Sequence, residues 1–173
     1  MPSVSSRFNN TLSVSNFSNI DNVLVDGAGS ATFTANAECT FLGFPSSVGP
    51  NAIPDTATIT GIKYFVGVTP SSGNVGFTFT AKKGASQTGD DETGTYTGSQ
   101  TKFFGGTNDL LGLTIATPND AAAFRLLVQF GTVSGTAVLG SVLAQFHYTL
   151  PFSNKVYNTS GKFSITSGKV SII

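Results

Sequence analysis

Residues 105–124 read GGTNDLLGLTIATPNDAAAF. As a helix, a ligand loop, a catalytic loop or a plain connection, this stretch decides what kind of fold the chain has. Its apolar residues follow no sustained 3.6-residue period, which an amphipathic helix requires. One helical turn fits at 118–122: Thr117 or Asn119 is a suitable cap, and Pro118 suits the first helical position. The leucines of DLLGL belong in an interior rather than in a solvated loop. The stretch therefore reads as a connection between strands. Leu110 and Leu113 plug the edge of a core, Asp109 and Asn108 satisfy turn amides, and Pro118 opens the single turn that launches the next strand.

Outward from this connection the chain alternates with period two, the mark of half-buried strands. In AFRLLVQFG (123–131), Phe124, Leu126, Val128 and Phe130 share one face, with Arg125 and Gln129 opposite. In NVGFTFTAKK (74–83), Val75, Phe77, Phe79 and Ala81 do the same. In TITGIKYFVGV (58–68), Ile62, Tyr64, Val66 and Val68 share a face, which Thr60, Lys63, Phe65 and Gly67 do not join. Along 136–150, Val142, Ala144, Phe146 and Tyr148 point inward, and Gly140 marks a bulge or bend. TPSSGN (69–74) has the composition of a hairpin loop. Residues 30–44 read as two short strands, with weaker strands near 11–17, 22–25 and 93–104. Many short strands punctuated by Gly, Pro, Ser and Asn imply an all-β, antiparallel sandwich or barrel.

The bulk composition supports one such domain. The chain has 173 residues, long enough for a sizeable core. Charged residues make up 10%, against about 25% in ordinary soluble domains. Ser, Thr, Asn and Gly fill the deficit, and the 15 phenylalanines supply material to bury. A formal net charge of zero favours association over mutual repulsion. Nine dispersed cations do not make a phosphate-binding patch, so nucleic acid is not an expected partner. No run approaches the ~18 apolar residues of a membrane helix, and the N-terminus lacks a basic start followed by an apolar run. A protein made and kept soluble in a cytoplasm is expected. The N-x-S/T triplets at Asn9, Asn16 and Asn158 follow from composition alone.

The residue inventory argues against catalysis. His147 is the one histidine, and alternation with Phe146 and Tyr148 turns it off the core face. No G-x-S-x-G elbow accompanies it, so a Ser-His-Asp triad has no local support. One His and the single Cys39 cannot supply the ligands of a zinc site, and Cys39 reads as a buried free thiol. GASQTGDDE (84–92) reads as a solvated loop tip carrying Asp90, Asp91 and Glu92, without the ligand spacing of a calcium loop. Asp21, Asp26, Glu38, Asp55, Asp109 and Asp120 lie mostly beside turn residues. DGAGS (26–30) precedes a strand rather than a helix, so it does not cradle phosphate. Neither cofactor nor metal is expected.

The C-terminus repeats itself: TSGKFSI (159–165) is followed by TSGKVSI (166–172). Two strands turning at Ser167-Gly168 make a small appended β-ribbon. The expected layout is an N-terminal arm over 1–20, a sandwich over 21–151 and a C-terminal ribbon or tail over 152–173.

Two motifs carry a family resemblance. IPDTATITGI (53–62) presents Ile53, Pro54, Ala57, Ile59, Gly61 and Ile62. The opening stretch presents Gly105, Gly106, Asp109, Leu110, Gly112, Leu113, Pro118 and Phe124. This pair, over roughly 30–150, resembles a jelly-roll domain of tailed-bacteriophage virion proteins and some bacterial surface proteins, with Leu111 where that family usually has Trp. The resemblance implies an antiparallel jelly-roll β-sandwich without catalytic residues. It further implies a structural protein of the virion surface, a decoration or cement protein that binds the major capsid protein and itself, with a trimer on local threefold axes expected. Phe163, Ile165, Val170, Ile172 and Ile173 of the tail are the candidate partner-binding residues. The alternative is a tail, fibre or surface module that binds glycan through loops such as 43–52 and 84–92, with Tyr64, Tyr96, Tyr148, Tyr157 and several Phe available for stacking. A hydrolase is the third reading.

Overall fold

The computed structural model describes residues 1–25, 28–44 and 52–151 in full, and 163–166 and 169–172 as backbone. Its strands are β1 (Ser3–Arg7), β2 (Asn10–Ser18), β3 (Ala31–Leu42), β4 (Thr58–Pro70), β5 (Val75–Lys83), β6 (Gln87–Tyr96), β7 (Gln100–Gly105), β8 (Phe124–Phe130) and β9 (Ala137–Thr149). A 3-10 turn covers Ile20–Val23, and one short helix, α1, covers Pro118–Ala122. The fold is an all-β, antiparallel jelly-roll β-sandwich.

The hydrogen-bonded path runs β6-β5-β8-β3-β9-β4-β7. It folds into two layers because β3 changes partner along its length. Its start, 31–33, pairs with β9, and its end, 38–42, pairs with β8. Between the two halves Asn36 takes a left-handed φ of 59°, a conformation Asn tolerates better than most residues. One layer is then β7-β4-β9 with β1 and the start of β3. The other is β6-β5-β8 with the end of β3 and the start of β2.

Aromatic contacts between the layers confirm the sandwich. Tyr64 of β4 meets Phe79 of β5, Phe104 of β7 meets Phe77 of β5, and Phe124 of β8 meets Phe146 of β9 edge-on at 5.5 Å. Phe33 stacks on Phe130 at 4.1 Å where β3 crosses over. Each such pair contributes about 0.5–1.5 kcal/mol beyond burial of its area.

The period-two faces lie where alternation puts them. Phe124, Leu126, Val128 and Phe130 are buried, as are Val75, Phe77, Phe79 and Ala81. On β9 the buried set shifts from Ala137 and Leu139 to Val142, Ala144 and Phe146. The shift is a bulge at Gly140: Val68 pairs with Leu139 but Gly67 pairs with Ser141. Cys39 is fully buried, and burial pushes its thiol up to about 12.

Several expectations need correction. Residues 69–74 are not a hairpin loop, because β4 and β5 lie in different layers and the segment crosses between them. Residues 30–44 contain one bent strand rather than two, and 22–25 belong to the 3-10 turn and its exit. Residues 87–92 are not a loop tip but the start of the edge strand β6; only 84–86 turn. The N-terminal 1–20 is not a separate arm: β1 pairs with β9 over 3–7, β2 pairs with β3, and Phe8 enters the core at 1% exposure. An apolar residue at that point makes the start of the chain inseparable from the sandwich.

The stretch 105–124 is a connection stitched to both layers. Ile62 donates to the Asp109 carbonyl at 2.7 Å, Gly106 donates to the Ile62 carbonyl, and Ile59 donates to that of Ala116. On the other layer, Asp90 of β6 donates to the Leu111 carbonyl at 2.8 Å. Gly61 is required here, since a Cβ would sit 2.2 Å from the Gly106 carbonyl oxygen. The Asp109 carboxylate accepts from the Leu111 amide at 2.8 Å. Leu111, in a left-handed conformation, and Leu113 are the buried plugs. Leu110, expected to be one of them, is only half-buried. Thr117 caps α1 in a reciprocal box with Asp120, behind Pro118. Asp120 also pairs with Lys83 at 2.6 Å. That contact and the Ala116 amide hold its carboxyl well below the usual range.

Two further strands, β10 (Phe163–Thr166) and β11 (Lys169–Ile172), pair antiparallel as a separate ribbon. Phe163 faces Ile172 and Ile165 faces Val170 in register. Ile173 and the joining residues 167–168 lie outside the described residues, as do 26–27, 45–51 and 152–162.

Candidate functional site: an aromatic and hydroxyl face on the β7-β4-β9 sheet

The inward residues of β4 fill the core, so the residues between them form the outer face of its sheet. Register then builds that face row by row. Phe103, Phe65, Leu143 and Arg7 lie abreast on β7, β4, β9 and β1. On one side of this row come Lys63, Gln145 and Ser5, followed by Gly61, His147 and Ser3. On the other side come Thr101, Gly67 and Ser141.

Phe103 is the dominant feature, 62% exposed on an edge strand. Its ring lies 6.4 Å from that of Phe65, and the Lys63 ammonium sits 4.3 Å from the Phe103 centroid and 5.3 Å from that of Phe65. Two rings so placed form a tilted apolar platform, with the ammonium over one face of the rings and the other side of Phe103 in solvent. Contacts of this kind contribute about 0.5–1 kcal/mol at exposed sites, enough to bias the lysine's position.

Beyond the platform lies a shallow recess of about 260 Å³, lined by Gly67, Val68, Thr69, Ser99, Gln100, Thr101, Gly140 and Ser141. Gly67 forms its floor. A Cβ there would come within 2.8 Å of the Ser141 hydroxyl and 3.1 Å of that of Thr101, closing the gap between the two. Hydroxyls and an amide thus ring a cleft beside exposed aromatic carbon. Sugars ask for this combination, because they present apolar C–H faces and hydroxyl edges together.

His147 lies on this sheet, opposite Ser3 of β1. It is 8% exposed and its Nε2 has no hydrogen-bond partner. Burial first, then the Lys63 ammonium and the N-terminal amine, lower its pKa. Its burial leaves little of the ring within reach of a ligand on the open part of the face. Among the described residues, no group of three or more His, Cys, Asp or Glu converges as a metal site.

The opposite sheet carries a larger recess, about 510 Å³, over Gly76, Thr78, Thr93, Gln129 and Thr132. It offers no stacking surface, because the rings of Phe77 and Phe130 on its lining strands are buried in the core.

The glycan-site loops expected from sequence are only partly described. Of 43–52, residues 45–51 lie outside them, and Asp90, Asp91 and Glu92 belong to β6. Tyr64, Tyr96 and Tyr148 are buried and unavailable for stacking, and Tyr157 lies outside the described residues. Phe163, Ile165, Val170 and Ile172 lie in the ribbon, whose side chains are not described.

No family model matches the sequence, and no curated protein matches it. Among solved structures, the chain is similar to the C-terminal CBM6 of LamC, a marine laminarinase from Zobellia galactanivorans. That likeness has 8% identity and a TM-score of 0.41, over 83% of this chain and 98% of that one. A CBM4 structure is 14% identical with a TM-score of 0.36, over 85% and 92%. The CBM22-1–GH10 modules of Clostridium thermocellum xylanase 10B, complexed with xylohexaose, are 9% identical with a TM-score of 0.39. There 87% of this chain matches 27% of the other. At such distances these likenesses concern the β-sandwich, and the site has to speak for its own chemistry.

Proposed function

We propose that this chain is a non-catalytic β-sandwich module that binds carbohydrate on the outer face of its β7-β4-β9 sheet. The observation that carries the reading is Phe103: a large aromatic ring exposed on a sheet, beside Phe65 and a hydroxyl-lined recess. A solvent-exposed ring beside hydroxyls gives a sugar both an apolar face to stack on and hydrogen-bond partners. The rigid sheet holds the platform without an ordering cost at binding. A glycan array probed with the full chain, followed by titration of the best glycans, tests this. Phe103→Ala is expected to weaken binding about tenfold, roughly 1.4 kcal/mol, without lowering the melting temperature. Unchanged binding in that variant would move the site elsewhere.

A second reading has its own support in the ribbon. β10 and β11 form a sheet of their own, outside the hydrogen-bond path of the body. In this reading they are an adhesive element through which the protein decorates a virion shell by contact with major capsid subunits, as a homo-oligomer. Co-sedimentation with capsids, lost on deleting 152–173, is its expected outcome.

A further inference from the structure

Charge on the proposed glycan face is segregated, although the chain as a whole is neutral. Lys63 stands in the row of Gln145 and Ser5. None of the described acids shares that face. Glu38 and Asp91 lie on the opposite sheet, where they accept from Gln129 and Thr80. Asp109 and Asp120 lie in the connection, Asp90 and Glu92 on β6, Asp21 in the 3-10 turn and Asp55 ahead of β4.

Lys83 shows what a committed lysine looks like in this protein: its ammonium meets the Asp120 carboxylate at 2.6 Å and the Thr114 carbonyl at 2.8 Å. Lys63 has only rings for company, and among the described residues no carboxylate lies within ion-pair distance of it. Ring contacts fix the stem and orient the ammonium, but they leave its N–H donors for an oxygen acceptor. Arg7, on the same sheet, is committed elsewhere, its guanidinium donating to the Val23 carbonyl at 2.8 Å, so Lys63 carries the argument. Beside Lys63, Gln145 donates to the Ser3 hydroxyl at 3.0 Å, which leaves its carbonyl oxygen to accept from a sugar hydroxyl.

We infer that the ligand of this face is an acidic glycan, whose sugar ring stacks on Phe103 while its anionic substituent is met by the Lys63 ammonium. This rests on the carbohydrate-binding reading and deepens it by naming the substrate class. The anionic group is a carboxylate, as in a uronan, or a sulfate ester, as in a sulfated galactan. Both present several oxygens to a three-donor ammonium.

The test is affinity electrophoresis of the full chain through gels holding polygalacturonate, a sulfated galactan, or neutral xylan and laminarin. At least one acidic polymer is expected to retard the protein about tenfold more strongly than the neutral ones, and which one does so identifies the anion. Lys63→Gln is expected to erase that difference, Lys63→Arg to restore most of it, and Lys82→Gln on the opposite sheet to leave it intact. Added salt weakens the acidic arm alone. Equal retardation by neutral and acidic polymers, or a difference that survives Lys63→Gln, overturns the inference while the glycan reading stands. Retardation by none of the polymers overturns both.

Discussion

On the β6-β5-β8 side of the sandwich, the Thr80 hydroxyl meets Asp91 at 2.6 Å and the Gln129 amide meets Glu38 at 2.8 Å. On the β7-β4-β9 side, Lys63 meets no described carboxylate and Phe103 stands in solvent. Both faces come from the same alternation of strands over one core. On the first, Thr80 and Gln129 reach carboxylates on neighbouring strands, and the rings lie beneath them in the core. On the second, cation, hydroxyls and aromatic carbon are left in reach of a ligand. Aromatic exposure, rather than recess size, is what sets the two faces apart.

The largest effect should come from the core that both faces share. Leu111 is 1% exposed and closes the end of the sandwich between β4 and β6. Leu111→Ala is expected to cost about 2–5 kcal/mol, the usual range for a buried leucine, read from denaturant unfolding. Glycan affinity measured well below the melting temperature should stay within about twofold of the wild type, since Leu111 props the edge without forming the platform. A large loss of affinity in a folded variant would tie the platform to the connection and weaken the contrast between independent faces.

Acid should separate the faces by a smaller amount. His147 pairs with Ser3 of β1, and the charged groups that lower its pKa after burial, Lys63 and the N-terminal amine, are both cationic. A base whose folded pKa is depressed binds fewer protons when folded than when unfolded. Its contribution is therefore whole above the unfolded pKa, near the ordinary histidine value, and is lost as pH falls from there through the lowered folded value. Below that window β1, held to β9 by 3–7, should loosen first. Amide exchange at pH 7 and pH 5 is expected to show faster opening of Ser5 and its neighbours, with β5 and β8 little changed. His147→Gln should flatten the difference. Equal acceleration in both sheets would make the acid effect global.

Much of the architecture was legible, and the reasons are local. Alternating Phe, Leu and Val marked β5, β8 and most of β4, Gly140 marked its own bulge, and Thr117-Pro118 marked the start of α1. Pairing was not legible, because period two says which way a side chain points and nothing about which strand lies alongside. That is why 69–74 read as a hairpin and 1–20 as an arm. A one-residue error at Leu110 and Leu111 has a similar root, since the left-handed turn at Leu111 breaks the alternation that would have placed it. The candidate site was half visible. Lys63, Phe65 and Gly67 were the residues that failed to join the core face of β4. An outward Phe on a core strand was the available signal. Only the β4–β7 register sets Phe103 beside it.

The smallest expected effect is a control on the self-satisfied face. Gln129 and Glu38 are half-buried neighbours on β8 and β3, joined by one hydrogen bond to a carboxylate. Gln129→Ala removes the donor, but the freed Glu38 oxygen can turn to water, so the loss should be a few tenths of a kcal/mol, about the scale of exposed polar pairs. The same change opens the 510 Å³ recess further without adding an aromatic surface. Glycan affinity by titration calorimetry should therefore stay within about twofold, while Phe103→Ala loses about tenfold in the same assay. The opposite ranking would place the ligand over Gly76 and Thr93, and unpaired polar groups would then be a poor guide to where this sandwich binds.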